Sequence, residues 1–228
     1  MIVRVIRTIT PSDSTEKEIV MRIGIIGAGS VGGALGRGWA RAGHEVTFGV
    51  RDASDPKVTK LVEETGARAA SVAEAASASE VVVLATPWEA TEDAVRHAGD
   101  LAGKIVFDCT NPLAPQLAGL THGQDTSGGE MVAGWAPGAR VVKVFNTTGA
   151  NNMANPDFNG VAATMFYCGD DAEAKAAAAR LAGDLGFDPV DAGALDQARL
   201  LEPLALLWIR LAYVQKMGRD IAFKLMRR

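Results

Sequence analysis

The sequence predicts an α/β protein: a doubly wound, mostly parallel sheet with a C-terminal α/β extension and a long terminal helix. Three observations predict it. Short apolar runs alternate with Ala- and Gly-rich stretches of helical length, the pattern of βαβ units. Val81, Val82, Val83 and Leu84 follow one another without a polar residue, as in a strand buried on both faces. A glycine-rich turn also joins the first clean strand to the first helical stretch.

Taken in order, Arg22–Gly27 reads as a strand and Ser30 to about Ala42 as its helix. Gly43-His44 turns the chain into a strand over Glu45–Val50. A helix over Pro56–Thr65 and a weak strand over Ala67–Ala70 follow. Glu80–Ala85 is the buried strand, Trp88–Gly99 a helix and Lys104–Asp108 a strand. Gly128–Trp135 reads as a short helix and Val141–Phe145 as a strand. Thr164–Gly169, the helix Asp171–Leu185 and Asp188–Asp191 continue the alternation. The terminal helix is expected to open at Pro203, a tolerated first-turn position. Leu211, Val214, Met217, Ile221 and Leu225 give it an apolar stripe at helical spacing.

No internal repeat or Pro/Ser-rich linker divides the chain, so residues 147–228 read as an extension packed on the same domain as residues 21–146. Residues 1–20 combine an alternating piece, Met1–Ile9, with a polar stretch, Pro11–Glu18. They read as a disordered extension or a mis-assigned start, with a small extra strand as the alternative.

Composition excludes several function classes. At 48% hydrophobic and 22% charged residues the chain resembles an ordinary soluble globular protein, and a net charge of −4 argues against nucleic acid as a partner. Cys109 and Cys168 form no CxxC and no His cluster accompanies them, which points to no metal site and to a reducing, cytoplasmic setting. No stretch approaches the roughly 20 apolar residues of a membrane span. Leu204–Ile209 is cut off by Arg210, and its apolar character suggests a homodimer contact instead.

Gly27-Ala28-Gly29-Ser30-Val31-Gly32 fits GxGxxG between a strand and a helix, the context in which that string binds a dinucleotide in a Rossmann fold. Gly27 suits the tight turn, Gly29 the close approach of backbone to pyrophosphate, and Gly32 the packing of helix on strand. The following strand ends Gly49-Val50-Arg51-Asp52, with Lys57 nearby. Arg51 stands where a guanidinium can fork onto a ribose 2′-phosphate, which favours NADP(H). Asp52 leaves open the acid that holds the 2′-hydroxyl of NAD.

Three later strand ends should face the nicotinamide. They are Thr86-Pro87-Trp88-Glu89, Asp108-Cys109-Thr110-Asn111-Pro112 and Asn146-Thr147-Thr148. The hydroxyl of Thr86, the rigid Pro87 and the indole of Trp88 suit a wall for the ring, or a strand break followed by a hydrophobic helix cap. Asn111 and Asn146 suit neutral hydrogen bonding around the ring, or turn capping. Cys109 reads as core filling. His44, His97 and His122 fall in a turn, a helix tail and a loop, outside any acid–base pair. With no evident proton donor, the small-molecule hydride acceptor is expected to be a ring compound, reached by alignment more than by acid catalysis.

These motifs occur in an order that resembles the NADPH:F-420 oxidoreductases and the cytoplasmic reductase domain of the six-transmembrane epithelial antigen metalloreductases. The shared runs are Gly27–Gly32, Thr86-Pro87-Trp88-Glu89, Val141–Asn146, Cys168-Gly169-Asp170-Asp171, Asp191-Ala192-Gly193 and Ala198–Glu202. The resemblance implies NADP(H) as cofactor and F-420 or a flavin as co-substrate. It implies that Ala28–Val31 meet the pyrophosphate and Arg51 the 2′-phosphate, with Thr86–Trp88 and the Asn146 region flanking the nicotinamide. Asp108–Pro112 is nearer the metalloreductase form, which leaves the acceptor open. A small imine or keto acid, as in pyrroline-type reductases, is the enzymatic alternative; a nonenzymatic NADP(H)-sensing module is the other. From Gln197 onward, Arg199, Arg210, Lys216, Arg219, Lys224, Arg227 and Arg228 stand against Glu202 and Asp220. This basic segment reads as a solvated helix face or as an attractor for a polyanionic tail such as that of F-420.

Overall fold

The computed structural model describes residues 20–228, and the expectation for the start of the chain falls on residues outside these, apart from exposed Val20. Elements follow in the order β1 (Arg22–Ile26), α1 (Ser30–Arg41), β2 (Glu45–Gly49), α2 (Pro56–Thr65), β3 (Arg68–Ala70), α3 (Val72–Ser77), β4 (Val81–Leu84), α4 (Thr91–Ala98) and β5 (Ile105–Asp108). There follow α5 (Gly128–Trp135), β6 (Arg140–Lys143), α6 (Ala150–Ala154), the small hairpin β7 (Asp157–Phe158) and β8 (Val161–Ala162), β9 (Thr164–Gly169), α7 (Ala172–Asp184), β10 (Asp188–Asp191) and α8 (Ala198–Ile209).

Eight strands form one sheet in the order β10-β9-β6-β5-β4-β1-β2-β3. All neighbours are parallel except β6 and β9, so the fold is the doubly wound Rossmann type that the sequence predicts. The period-two geometry of the strands divides their side chains between two cores. Val81 and Val83 face Leu35 and Trp39 of α1 and Leu181 of α7. Val82 and Leu84 face Ala75 of α3, Val95 of α4 and Val132 of α5. Helices cover both faces, which explains why β4 tolerates no polar residue.

The chain winds outward from β1 through β2 to β3, then crosses back to β4 and proceeds through β5 to β6. The winding direction therefore reverses between β1 and β4, and a crevice opens beyond their carboxyl ends. Its closeness is measurable: a Cβ on Gly27, whose φ is +106°, would lie 2.7 Å from the Ala85 carbonyl oxygen. Only glycine satisfies both constraints.

The terminal region differs from the predicted long helix. α8 starts five residues before Pro203, so the proline lies inside the helix. A π-helical turn over Arg210–Val214 ends it, and Lys216 and Gly218 take positive φ. Residues 215–228 contain no helix. The apolar stripe through Leu225 is thus not one helix face, because tertiary hydrogen bonds outcompete helical spacing. The Ile221 carbonyl accepts from Trp208 Nε1 at 2.7 Å and Asn152 Nδ2 at 2.7 Å. The Thr164 amide donates to the Phe223 carbonyl at 3.0 Å, and Lys224 pairs with Asp188. The tail is a strap across α6 and β9. α8 itself buries Leu201, Ala205 and Trp208 and leaves Leu200 and Leu207 exposed. No helix of the described residues is long and apolar enough to cross a membrane.

Candidate functional site

The phosphate end of the crevice is built from backbone. Gly29 precedes α1 in extended geometry and supplies no side-chain cap, and the first turn contains no acid. The opening N–H groups of α1 therefore keep their donor capacity and a positive dipole end. A Cβ on Gly29 would meet nothing within 4 Å, whereas one on Gly32 would sit 2.0 Å from the Gly27 carbonyl oxygen. The two glycines thus differ: Gly32 lets helix and strand touch, whereas Gly29 faces open space and the fold itself does not demand glycine there. That open cradle beside uncapped N–H groups fits a pyrophosphate. Ala28, Ser30 and Val31 complete the loop, and Gly27 N–H anchors it by donating to the Gly49 carbonyl at 3.1 Å.

Beyond β2, Arg51 is exposed and makes no ion pair among the described residues. Asp52 is committed locally. It accepts from the Ser54 amide at 2.8 Å and the Ser54 hydroxyl at 2.6 Å, and these bonds hold its carboxyl below the usual carboxylate range. Asp55 caps α2 through the Lys57 amide. The competing acid, Asp52, is therefore part of a turn, while the Arg51 guanidinium makes no ion pair among the described residues.

The loop after β4 lies against the phosphate loop, with Thr86 Cγ2 3.5 Å from the Cβ position of Gly27. Thr86 Oγ1 is 3.1 Å from Thr91 Oγ1, and the Thr91 hydroxyl donates to the Pro87 carbonyl, which turns the chain into α4. The Trp88 indole packs against Trp135 at 5.3 Å between centroids and lies edge-on to His122 at 5.9 Å. Trp88 Cζ3 approaches the Cβ position of Gly128 at 3.1 Å, so the indole braces α5 as well as bounding the crevice.

Asn111 and Asn146 come from different strand ends and meet. Asn111 Nδ2 donates to the Asn146 carbonyl at 3.0 Å, and Asn146 Nδ2 donates to Asn111 Oδ1 at 3.1 Å. Asn146 Nδ2 also reaches the Leu201 carbonyl of α8 at 3.2 Å. Asn146 is 4% exposed, yet its Oδ1 has no partner. A buried acceptor left open is costly and calls for an explanation. Immediately before it, Phe145 has φ +61°, a strained conformation for a bulky residue. Its ring is wedged among Trp39, Phe107 and Phe187, which hold the strained turn in place.

Beneath this pair lies a group that the sequence reading did not single out. Lys143 and Asp108 are register partners at the ends of β6 and β5, and Glu202 enters from α8; all three are fully buried. Lys143 Nζ lies 2.8 Å from Asp108 Oδ2 and 2.8 Å from Glu202 Oε1. Asp108 Oδ1 accepts from the Thr110 amide and hydroxyl, and Glu202 accepts from the Gly128 and Gly129 amides at 3.0 Å. Burial alone pulls the Lys143 ammonium down, but the facing carboxylates outweigh it and leave the group raised. It stays protonated at neutral pH and is no base. The available signal was a charge inside each of three apolar runs, IVFD, VVKVF and LLEPLALL.

The remaining nucleophiles and imidazoles do not join the site. Burial pushes the Cys109 thiol well up and the Cys168 thiol up to about 12, so neither supplies a thiolate. His44, expected as a lone turn residue, is instead paired: its Nε2 lies 3.0 Å from Asp184 Oδ2, and its Nδ1 accepts from the Met21 amide. That pair sits at the amino ends of β1 and β2, opposite the crevice. Among the described residues no three His, Cys, Asp or Glu side chains are grouped to hold a metal ion.

Comparison with known proteins agrees with this geometry. The family described as NADP oxidoreductase, coenzyme F420-dependent, matches residues 22–112. A solved structure from Arthrobacter sp. FB24, described as a candidate F420-dependent NADP-reductase, is 35% identical with a TM-score of 0.82, covering 91% of this chain and 100% of that one. The metalloreductase STEAP3 of Rattus norvegicus is 32% identical over 206 residues, which are 88% of this chain and 41% of that protein. The chain therefore spans about two fifths of the length of this curated relative. A reductive aminase from Aspergillus terreus shares the fold alone, at 22% identity and a TM-score of 0.63 over 87% of this chain and 63% of its own. Given the full-length match to the Arthrobacter protein and the match of the family across β1 to β5, the chain belongs to this family of NADP-dependent oxidoreductases.

Proposed function

We propose that the protein transfers hydride between NADPH and a ring acceptor of the deazaflavin or flavin type. The observation that carries this reading is the chemistry of the nicotinamide end. Asn111 and Asn146 present neutral amides there, and the ionisable groups beneath them, Asp108, Lys143 and Glu202, are buried and mutually paired. Reduction of a carbonyl or imine is helped by a proton donor beside the reacting atom. A conjugated ring spreads incoming charge over its own atoms, so alignment at about 3–3.5 Å suffices for the transfer step.

In this reading the N–H groups around Ala28, Gly29, Ser30 and Val31 hold the pyrophosphate, and Gly27 and Gly32 hold the loop. Arg51 forks onto the 2′-phosphate. Thr86, Pro87 and Trp88 bound one side of the nicotinamide pocket. The open Oδ1 of Asn146 accepts from the carboxamide NH2, with Asn111 keeping the Asn146 side chain in place. When bound, NADPH supplies the hydride, and the protein supplies position and exclusion of water.

The test follows NADPH oxidation optically against F-420, FMN, FAD, ferric chelates, and small imines and keto acids. Faster oxidation with F-420 or a flavin is expected, and ferric chelates should respond only when such a ring compound is present. Turnover with an imine or keto acid and with no ring acceptor would overturn the assignment.

A further inference from the structure

We infer that Lys143, with Asp108 and Glu202, is a positioning group for hydride transfer, a buried ionic clamp that sets Asn111 and Asn146 at the nicotinamide end of the crevice. The inference rests on the proposed function both for the identity of the acceptor and for the nicotinamide lying beside Asn146.

Stability alone explains the clamp poorly. Removing two carboxylates and an ammonium from water is expensive, and apolar side chains of similar volume commonly serve a core as well or better. What an ionic clamp adds is directional geometry. Each Asp108 and Glu202 oxygen has a fixed donor, and those donors belong to the segments that shape the nicotinamide end.

Asp108 binds the Thr110 amide and hydroxyl, one residue before Asn111. Lys143 precedes the strained Phe145 and then Asn146. Glu202 follows Leu201, whose carbonyl accepts from Asn146. Glu202 also holds Gly128, whose Cβ position lies within 3.0–3.3 Å of Glu202, Trp88 and Pro112. Four segments of the chain thus converge on one buried ionic group, which also caps the opening N–H groups of α5. A shift of about 1 Å at the reacting atoms can cost roughly 100-fold in rate, so a device that fixes these loops acts on transfer more than on binding.

The experiment compares wild type with Lys143→Met, Glu202→Gln, Asn146→Ala and the Lys143→Met/Asn146→Ala double variant. NADPH affinity, emission of the bound reduced nicotinamide, and the single-turnover rate to the acceptor are each measured. For Lys143→Met we expect NADPH affinity within about threefold of wild type, since the phosphate loop is untouched. We also expect altered nicotinamide emission and a transfer rate lower by roughly 10- to 100-fold. In the double variant the two losses should overlap rather than multiply. If Lys143→Met does not fold, Glu202→Gln decides, because its amide oxygen still accepts from an α5 amide while one charge is lost.

Unchanged emission and transfer in the folded variant would overturn the inference, as would losses that multiply with those of Asn146→Ala. A wild type that passes hydride to no ring acceptor overturns the proposed function instead. The affinity and emission measurements still judge the clamp in that case.

Discussion

The two ends of the crevice are made in different ways. At the proposed phosphate end, six consecutive residues, Gly27–Gly32, create a turn, a clear space and a helix start, and the groups offered to a ligand are backbone amides. At the nicotinamide end the groups are side chains brought together over long separations. Asn111 meets Asn146 from 35 positions away, and Glu202 meets Gly128 and Gly129 from 74 and 73. Backbone amides aimed by a glycine turn need little outside support. Amide side chains with an unsatisfied oxygen need their loops fixed from beneath, and the Asp108–Lys143–Glu202 group lies in that place. On the proposed reading, dinucleotide binding thus rests on local structure, while alignment for transfer rests on tertiary structure.

Substitutions can break this contrast at either end. The largest effect is expected for Lys143→Ala, which leaves two facing carboxylates buried without their cation. Chemical denaturation should show a loss of about 3–5 kcal/mol. Gly32→Ala should follow at about 3 kcal/mol, because its Cβ meets the rigid Gly27 carbonyl at 2.0 Å. Gly29→Ala sharpens the point: with open space around its Cβ, melting should be unchanged while NADPH affinity, followed by titration, falls by at least roughly tenfold. Equal effects at Gly29 and Gly32 would remove the distinction between a ligand glycine and a packing glycine.

Arg51→Ala should weaken NADPH by about tenfold, the scale of one lost charge-assisted hydrogen bond, and leave NADH unchanged. Equal losses would return Asp52 to consideration as the ribose acid.

The smallest effect concerns the surface bond between α5 and α8. Arg199 chiefly holds the Glu130 carboxyl below its usual 4.5, with help from Ser127. Its contribution is therefore complete above about pH 4.5 and lost as pH falls through the depressed value. Solvent screening keeps it small. Melting curves of wild type and Arg199→Ala should differ slightly at pH 7 and converge as pH falls through the depressed Glu130 value.

Much of the fold was legible because its signals are local. The α2 and α5 spans and the β9 and β10 spans match their sequence readings; caps and Pro56 mark the helices, and the apolar and aromatic run from Met165 to Tyr167 marks β9. Short α3 and α6 and the β7–β8 hairpin passed unseen; each is too brief for periodicity to register. The tail was misread for a different reason. Helical spacing from Leu211 to Leu225 is real, but Trp208, Asn152 and Thr164 offer its backbone better partners than the next helical turn does.

The candidate site divides along the same line. Gly27, Gly29, Gly32 and Arg51 stand out in the sequence as candidates by motif and context. Asn111 and Asn146 could be read only as polar residues at strand ends, equally suited to capping. Nothing in one dimension shows that they bond to each other, or that one keeps an open oxygen. His44 gave no hint of Asp184, and Lys143 stood out only within the shared run Val141–Asn146.

By itself, the sequence determined the doubly wound sheet, the phosphate loop and the bias toward NADP(H), because each depends on residues within a turn or two of one another. Only the tertiary structure decided that Asp108, Lys143 and Glu202 share one buried site and that the tail is a strap. Those outcomes depend on which distant groups satisfy one another once water is excluded, and that choice is made by the folded arrangement of the whole chain.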